Sequence, residues 1–214
     1  MKPLLILRPE PGSSVTAARA RALGLAPVQC PLFEIEPLAW AMPDLARFDG
    51  LLFTSANALR HGGAPLAGLT ALDVLAVGQA TADAARSAGF RVVMTGNSGV
   101  DALLGSLPGE QRLLHLAGVD TRRHGTRHRV ETLAVYRAAP LRPDIPDGQL
   151  VALVHSPRAG ARLAELVTSR QAIAIAAISG AAAAACGAGW RSLDWPALPK
   201  DADLLALAAR LCQD

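Results

Sequence analysis

A chain of 214 residues that is 51% apolar has material for one large or two small cores, and a net charge of +3 makes it neither strongly basic nor strongly acidic. Aromatics reach only 4% and the basic residues are scattered, which argues against a nucleic-acid partner. Of 21 basic residues only Lys2 and Lys200 are lysines, leaving 21 − 2 = 19 arginines. The planar guanidinium suits carboxylate or phosphate ligands, although a codon usage rich in Arg and Ala gives the same bias without any ligand.

Cys30, Cys186 and Cys212 are isolated and odd in number, which fits free thiols in a reducing compartment. The apolar run at residues 4–7 is too short for a signal peptide before Arg8 interrupts it. The uncharged stretch 172–190 has the length of a membrane span, but it is mostly Ala, Gly and Ser and breaks at Ser179-Gly180. A soluble cytoplasmic protein with no membrane partner is expected.

In chain order, residues 4–7 read as a buried parallel strand ending at Arg8-Pro9. Pro11-Gly12-Ser13-Ser14 is turn chemistry with an N-cap, and a helix over 15–23 is stopped by Gly24. A strand over 27–32 follows, then an extended crossing over 34–38. Residues 50–54 form a strand, Ser55 caps a helix over 56–61, and Gly62-Gly63 end it. A strand over 72–77, the turn Gly78-Gln79, a helix over 81–88, a strand over 90–94 and a helix over 100–107 come next.

Strands over 113–116 and 131–136 enclose a polar segment, and the proline-bearing stretch 139–149 is a second crossing. The last stretch predicts a strand over 150–154, a helix over 156–167 with Pro157 at its first position, and a strand over 173–178. A helix over 181–186, a strand over 190–193 and a closing helix over 202–212 complete it.

The chain repeats itself. DGLLFTSANAL, from Asp49, returns as LVALVHSPRAGARL, from Leu150, and LAVGQATADAARSAGF, from Leu75, returns as AAISGAAAAACGAGW, from Ala176. Pairing Ser55 with Ser156 and Gly78 with Ser179 gives one offset, 156 − 55 = 179 − 78 = 101. LLILRPEP at Leu4 likewise resembles LLHLAGVD at Leu113, and VQCPLFEIEP, ending at Pro37, resembles LAVYRAAP, ending at Pro140. The order A, B, A′, B′ describes two related α/β halves, not a short-period solenoid.

Every predicted strand-to-helix turn places small polar residues at the carboxyl edge of a parallel sheet, where open α/β sheets bind ligands. Helix N-termini there offer free N–H groups and a positive dipole end to anions. Two such domains facing each other would form an anion-lined cleft.

FTSANAL, LAVGQATADAARSAGF, a first strand ending in Arg-Pro-Glu and a strand ending in Val-Tyr-Arg together resemble the uroporphyrinogen-III synthase family, in order and over the whole length. The resemblance implies two flavodoxin-like domains, parallel sheets with helices on both faces, joined by a two-stranded linker. The chain would start in domain 1 (1–34), form domain 2 (39–139), and return to domain 1 (148–214) through linkers 35–38 and 140–147.

It further implies a monomeric lyase of haem biosynthesis that needs no cofactor and no metal. Its substrate would be hydroxymethylbilane, a linear tetrapyrrole bearing acetates and propionates. That substrate loses water and closes to uroporphyrinogen III with its last ring inverted through a spiro intermediate. Unassisted closure gives the type I isomer, so the protein must favour one fold of the substrate by positioning.

Tyr136 matches the family's tyrosine and is the candidate general acid at the departing hydroxyl, against the alternative of a locally packed strand-end residue. Thr54, Ser55 and Asn57 match a family turn expected to bind substrate carboxylates, with plain N-capping a compatible alternative. Gln79 and Thr81, Gly118, and Ser156, Pro157 and Arg158 are candidates of the same kind, and Arg8 is the foremost arginine for a carboxylate.

Ser179 and Gly180 stand where the family has a threonine-bearing turn; Ala181 and Ala182 follow, which leaves Ser179 as the sole hydroxyl there. That loss motivates an alternative, a non-catalytic anion-binding or scaffold relative. The segment between Gly118 and Tyr136 is too short for the family's helix plus strand, so RRHGTRHR, residues 122–129, is expected to be a loop.

His124 and His128 have a helical ligand spacing but no third ligand, and His155 reads as a satisfied strand-end histidine. No Ser-His-Asp order, phosphate loop or Gly-x-Gly-x-x-Gly turn is present, and a phosphoacceptor's clustered aspartates are missing.

Overall fold

A computed structural model describes residues 1–121 and 124–213. The chain divides into two compact units, Met1–Glu34 with Ala139–Asp214, and Ile35–Ala138.

The first unit contains β1 (Leu4–Ile6), α1 (Gly12–Ala22) and β2 (Pro27–Gln29), and the chain leaves it along β3 (Phe33–Pro37). The second unit contains β4 (Gly50–Phe53), α2 (Ala56–His61), β5 (Val74–Val77), α3 (Gln79–Ser87), β6 (Val92–Gly96), α4 (Val100–Gly105) and β7 (Arg112–Gly118). The chain returns along β8 (Arg129–Pro140) and completes the first unit with β9 (Leu150–Val154), α5 (Pro157–Leu166), β10 (Ile173–Ala177), α6 (Gly180–Cys186), β11 (Ser192–Asp194) and α7 (Asp201–Gln213).

One sheet has the strand order β11-β10-β9-β1-β2 and the other β3-β8-β7-β4-β5-β6. Counted along the chain, the first is a flavodoxin order, 2-1-3-4-5. The second matches it once the strands are numbered by their repeat. LLHLAGVD, the partner of LLILRPEP, supplies β7, so β8-β7-β4-β5-β6 is the same arrangement with the chain circularly permuted. Among the described residues, neighbouring core strands pair in parallel in both sheets.

Each sheet is covered on two faces because its strands are apolar on both sides. In the first unit, Leu4, Ile6, Val151, Leu153, Ala174 and Ala176 face α1 and α7. In the second, Leu51, Phe53, Ala76, Leu114 and Leu116 face α2 and α3, whereas Leu52, Leu75 and Leu113 face Leu103, Leu104 and Leu107 of the α4 side.

Several boundaries depart from the sequence expectation for local reasons. α1 starts at Gly12, not at residue 15. Ser13 and Ser14 lie in its first turn, and Ser14 donates from N and Oγ to the Glu10 carboxylate at 3.1 and 2.8 Å, so the orphan donors are met from outside the helix. β2 stops at Gln29, and β8 runs far past the expected 131–136 because its later part gains β3 as a neighbour. Short 3₁₀ turns at Leu45–Arg47 and Ala64–Leu69 were not anticipated.

The two units differ most at one connection. In the first, α1 links β1 to β2; in the second, β7 and β8 are parallel neighbours linked only by residues 119–128, with no helix among the described ones. A parallel return ordinarily takes a dozen residues or more and a helix. Here a strap replaces it, pinned by His128, whose Nδ1 accepts from Gln111 N at 3.1 Å and whose Nε2 donates to Leu104 O at 2.8 Å. A cavity of about 520 Å³ lined by Thr121, His124, Thr126, Val130 and Thr132 lies where the missing helix would pack. The loop expected at residues 122–129 agrees over 124–128, whereas Arg129 already belongs to β8, paired with Arg112; Arg122 and Arg123 lie outside the described residues.

Candidate functional site

In a 2-1-3-4-5 sheet the connections run opposite ways from the two strands at the switch point, and their carboxyl ends open a crevice. These strands are β1 and β9 in the first unit, β7 and β4 in the second.

At the second unit's switch point, Thr54 and Ser55 follow the end of β4, and β7 ends in Gly118. Ser55 Oγ accepts from Asn57 N at 3.2 Å, capping α2, while Asn57 Oδ1 accepts from Arg60 at 3.4 Å. Thr54 Oγ1 lies 3.0 Å from His115 Nε2. Gly118 is opposite Tyr136 across a β-bulge. The tyrosine ring lies on the glycine: a Cβ there would sit 2.7 Å from Tyr136 Cε2. This close approach is what requires glycine at the end of β7. Tyr136 is half-buried, its ring 6.4 Å from that of His61, and its hydroxyl makes no hydrogen bond among the described residues. Burial, with Arg60 adding to it, holds the His61 pKa below the usual histidine value.

Sequence reasoning therefore pointed to Thr54, Ser55, Gly118 and Tyr136, and the fold brings them to one sheet edge. Gln79 and Thr81 sit one strand away, after β5. The Gln79 amide is engaged by Asp83 at 2.7 Å and Thr81 is buried, so neither offers a free side chain. Gly78, with φ +84°, provides the left-handed turn into α3.

At the first unit's switch point, Ser156 Oγ caps α5 by accepting from Ala159 N at 3.2 Å, and Pro157 takes the first helical position. Arg158 lies over the Phe33 ring at 4.5 Å. Arg8, at the end of β1, is not a free cation: its Nη1 is 3.6 Å from Asp201 Oδ1 and 3.4 Å from Thr16 Oγ1. Asp201, which no sequence motif marks, also binds Arg19 at 2.6 Å and His155 Nε2 at 3.2 Å. The His155 contact, then Arg19 and Arg8, outweigh burial and hold its carboxyl down at about 2. His155 is thus a strand-end histidine with one satisfied nitrogen; its Nδ1 is buried without a partner among the described residues.

One strand further, Ser179 Oγ caps α6 through Ala182 N at 3.3 Å, and Gly180 begins the helix against Trp195. The turn's one hydroxyl is therefore a cap.

His124 and His128 lie in the extended strap and not on a helix, so their four-residue spacing does not bring them to one helical face. Among the described residues no group of three or more His, Cys, Asp or Glu could hold a metal ion. The three cysteines are buried; burial pushes the Cys186 thiol up to about 11 and raises those of Cys30 and Cys212, which makes them poor nucleophiles. No helix among the described residues is long and apolar enough to cross a membrane.

Fold and site together define a duplicated, doubly wound α/β protein whose hydroxyl-bearing turns gather at the carboxyl ends of its strands. The profile of the family described as uroporphyrinogen-III synthase HemD matches residues 14–206, and the chain belongs to that family. A uroporphyrinogen-III synthase of Chlorobaculum parvum is 38% identical over 61 residues, a stretch that spans 28% of this chain and 25% of that protein. Among solved structures, uroporphyrinogen-III synthetase from Helicobacter pylori is similar with a TM-score of 0.70 at 16% identity, covering 99% of this chain and 100% of that one. A mutant uroporphyrinogen III synthase of Thermus thermophilus is similar with a TM-score of 0.55 at 18% identity, covering 100% and 99%.

Proposed function

We propose that the protein is a uroporphyrinogen-III synthase, a cyclising carbon–oxygen lyase that converts hydroxymethylbilane to uroporphyrinogen III in the cytoplasm as a monomer. The observation that carries this reading is the meeting of Thr54, Ser55, Gly118 and Tyr136 at one switch point in a chain matched by the family over residues 14–206.

The chemistry asks little of side chains and much of placement. Loss of the terminal hydroxyl leaves an azafulvene cation; attack by the substituted carbon of the last pyrrole gives the spiro intermediate, which fragments and recloses inverted. Tyr136 donates a hydrogen bond from its phenol hydroxyl to the departing hydroxyl. Hydroxyls and backbone N–H groups at Thr54, Ser55, Ser156 and Ser179 bind side-chain carboxylates and select the curl that brings the substituted carbon close. Arg8 contributes by exchanging its Asp201 contact for a substrate carboxylate.

Incubating the purified protein with hydroxymethylbilane and separating the oxidised porphyrin isomers tests this. Predominant type III is expected; type I alone, the uncatalysed product, would reject the enzyme and leave the scaffold relative.

A further inference from the structure

The switch point of the second unit contains a buried polar side chain that the repeat does not call for. His115 is 0% exposed and sits in β7 between Leu114 and Leu116. Aligning LLILRPEP with LLHLAGVD makes its counterpart in the first unit Ile6, which is also 0% exposed. Packing is thus served by an aliphatic residue at this place, and burying an imidazole instead carries a cost that one hydrogen bond only partly offsets.

That bond runs to Thr54 Oγ1, 3.0 Å from Nε2, across the two strands that flank the crevice. The other ring nitrogen, Nδ1, is buried and has no partner among the described residues, and the His124 ring stands 5.2 Å away, centroid to centroid. Burial first, and His124 second, hold the His115 pKa down at about 4, so the ring is neutral and carries one proton at physiological pH. A proton on Nδ1 would be a buried donor with no acceptor among the described residues. On Nε2 it leaves only an unused lone pair, the less costly of the two orphans. Nε2–H therefore donates to Thr54, and the threonine's own hydrogen cannot point back at the ring.

We propose that His115 is a positioning residue that fixes Thr54 as a hydrogen-bond donor turned outward to a substrate carboxylate. The inference rests on the synthase reading and adds to it the residue that decides which way the Thr54 hydroxyl faces. Thr54 is half-buried at the end of β4, beside the Ser55 cap, so its orientation is set from below by a neighbour and not by solvent.

Steady-state kinetics with hydroxymethylbilane on the full chain tests the role. His115→Leu is expected to raise KM about tenfold with kcat within roughly twofold, the mark of a lost binding contact. His115→Gln, whose amide nitrogen falls where Nε2 stood, is expected to restore KM to within about threefold, whereas His115→Asn, which stops at the Nδ1 position, should behave like Leu. In a Thr54→Val background His115→Leu should change KM no further.

An unchanged KM in His115→Leu, Gln no better than Asn, or undiminished losses in the Thr54→Val background would each overturn the proposal. Should the Leu variant fail to fold, the comparison of Gln with Asn decides it. A wild-type protein that yields only type I isomer defeats the synthase reading itself. One that yields type III with a KM indifferent to His115 defeats the positioning role alone.

Discussion

In the candidate site the Tyr136 ring lies on Gly118, and this makes those two residues one unit. Gly118→Ala forces a Cβ to 2.7 Å from the ring, so the tyrosine must move. Tyr136→Phe keeps the packing and removes the donor. Both variants are expected to slow turnover roughly fivefold or more. Only Gly118→Ala should also lose stability, about 1–3 kcal/mol. Turnover measured beside urea unfolding separates them, and a Tyr136→Phe enzyme at full rate would remove the acid role.

Asp201 gives a second residue-scale expectation. Its carboxyl is depressed from 3.8 to about 2, so the stability it contributes is present above the unfolded value and is lost as pH falls toward 2. Asp201→Asn should therefore cost about 2 kcal/mol at pH 7, a gap nearly intact at pH 5 and about halved by pH 3. Urea midpoints across that range check it; a gap independent of pH would mean that the His155, Arg19 and Arg8 contacts do not act through the carboxylate charge.

Neither Asp201 nor His115 was singled out from sequence. Asp201 meets Arg8 and His155 only because α7 packs on the same sheet, which no local pattern reveals. His115 did leave a signal, a histidine interrupting the apolar run LLHLAG, the same signal that drew attention to His155.

At the scale of elements, the capping roles of Ser55 and Ser156 were legible because a hydroxyl at a strand-to-helix turn has a defined partner. Both accept from the backbone of their helices, and Ser179, expected only as a substrate contact, does the same. Ser156→Ala is expected to lower stability by about 1 kcal/mol, and Ser156→Asn, which can still cap, to recover most of it. A KM that rises in both variants would show a substrate contact beyond the cap.

Boundaries were less legible. The start of α1 depends on the Glu10 side chain, and the length of β8 depends on β3, a neighbour distant in sequence. The strap at 119–128 was readable as a loop from its length, but the cavity beneath it exists only once β7 and β8 are parallel neighbours.

For the whole molecule, the offset of 101 residues showed two related halves, and the family resemblance implied that the chain starts in one domain, forms the second and returns to the first. β1, β2, β9, β10 and β11 do share one sheet, and the repeat gives the other sheet its permuted copy of that order. Switch points followed from strand order, and the turns at Thr54, Gly118 and Ser156 fall on them. The repeat could not show that Arg8 is held by Asp201, because the second unit has Ala117 where the first has Arg8 and offers no comparable pair.

The central claim is that the tetrapyrrole is held at the carboxyl ends of the switch-point strands. The most direct measurement is the change in backbone amide NMR shifts when uroporphyrinogen III is added anaerobically to the ¹⁵N-labelled protein. The largest changes are predicted at Thr54, Ser55, Gly118, Tyr136 and Ser156. Changes confined to the strap cavity around Thr121 and Thr126, with those turns silent, would contradict the account.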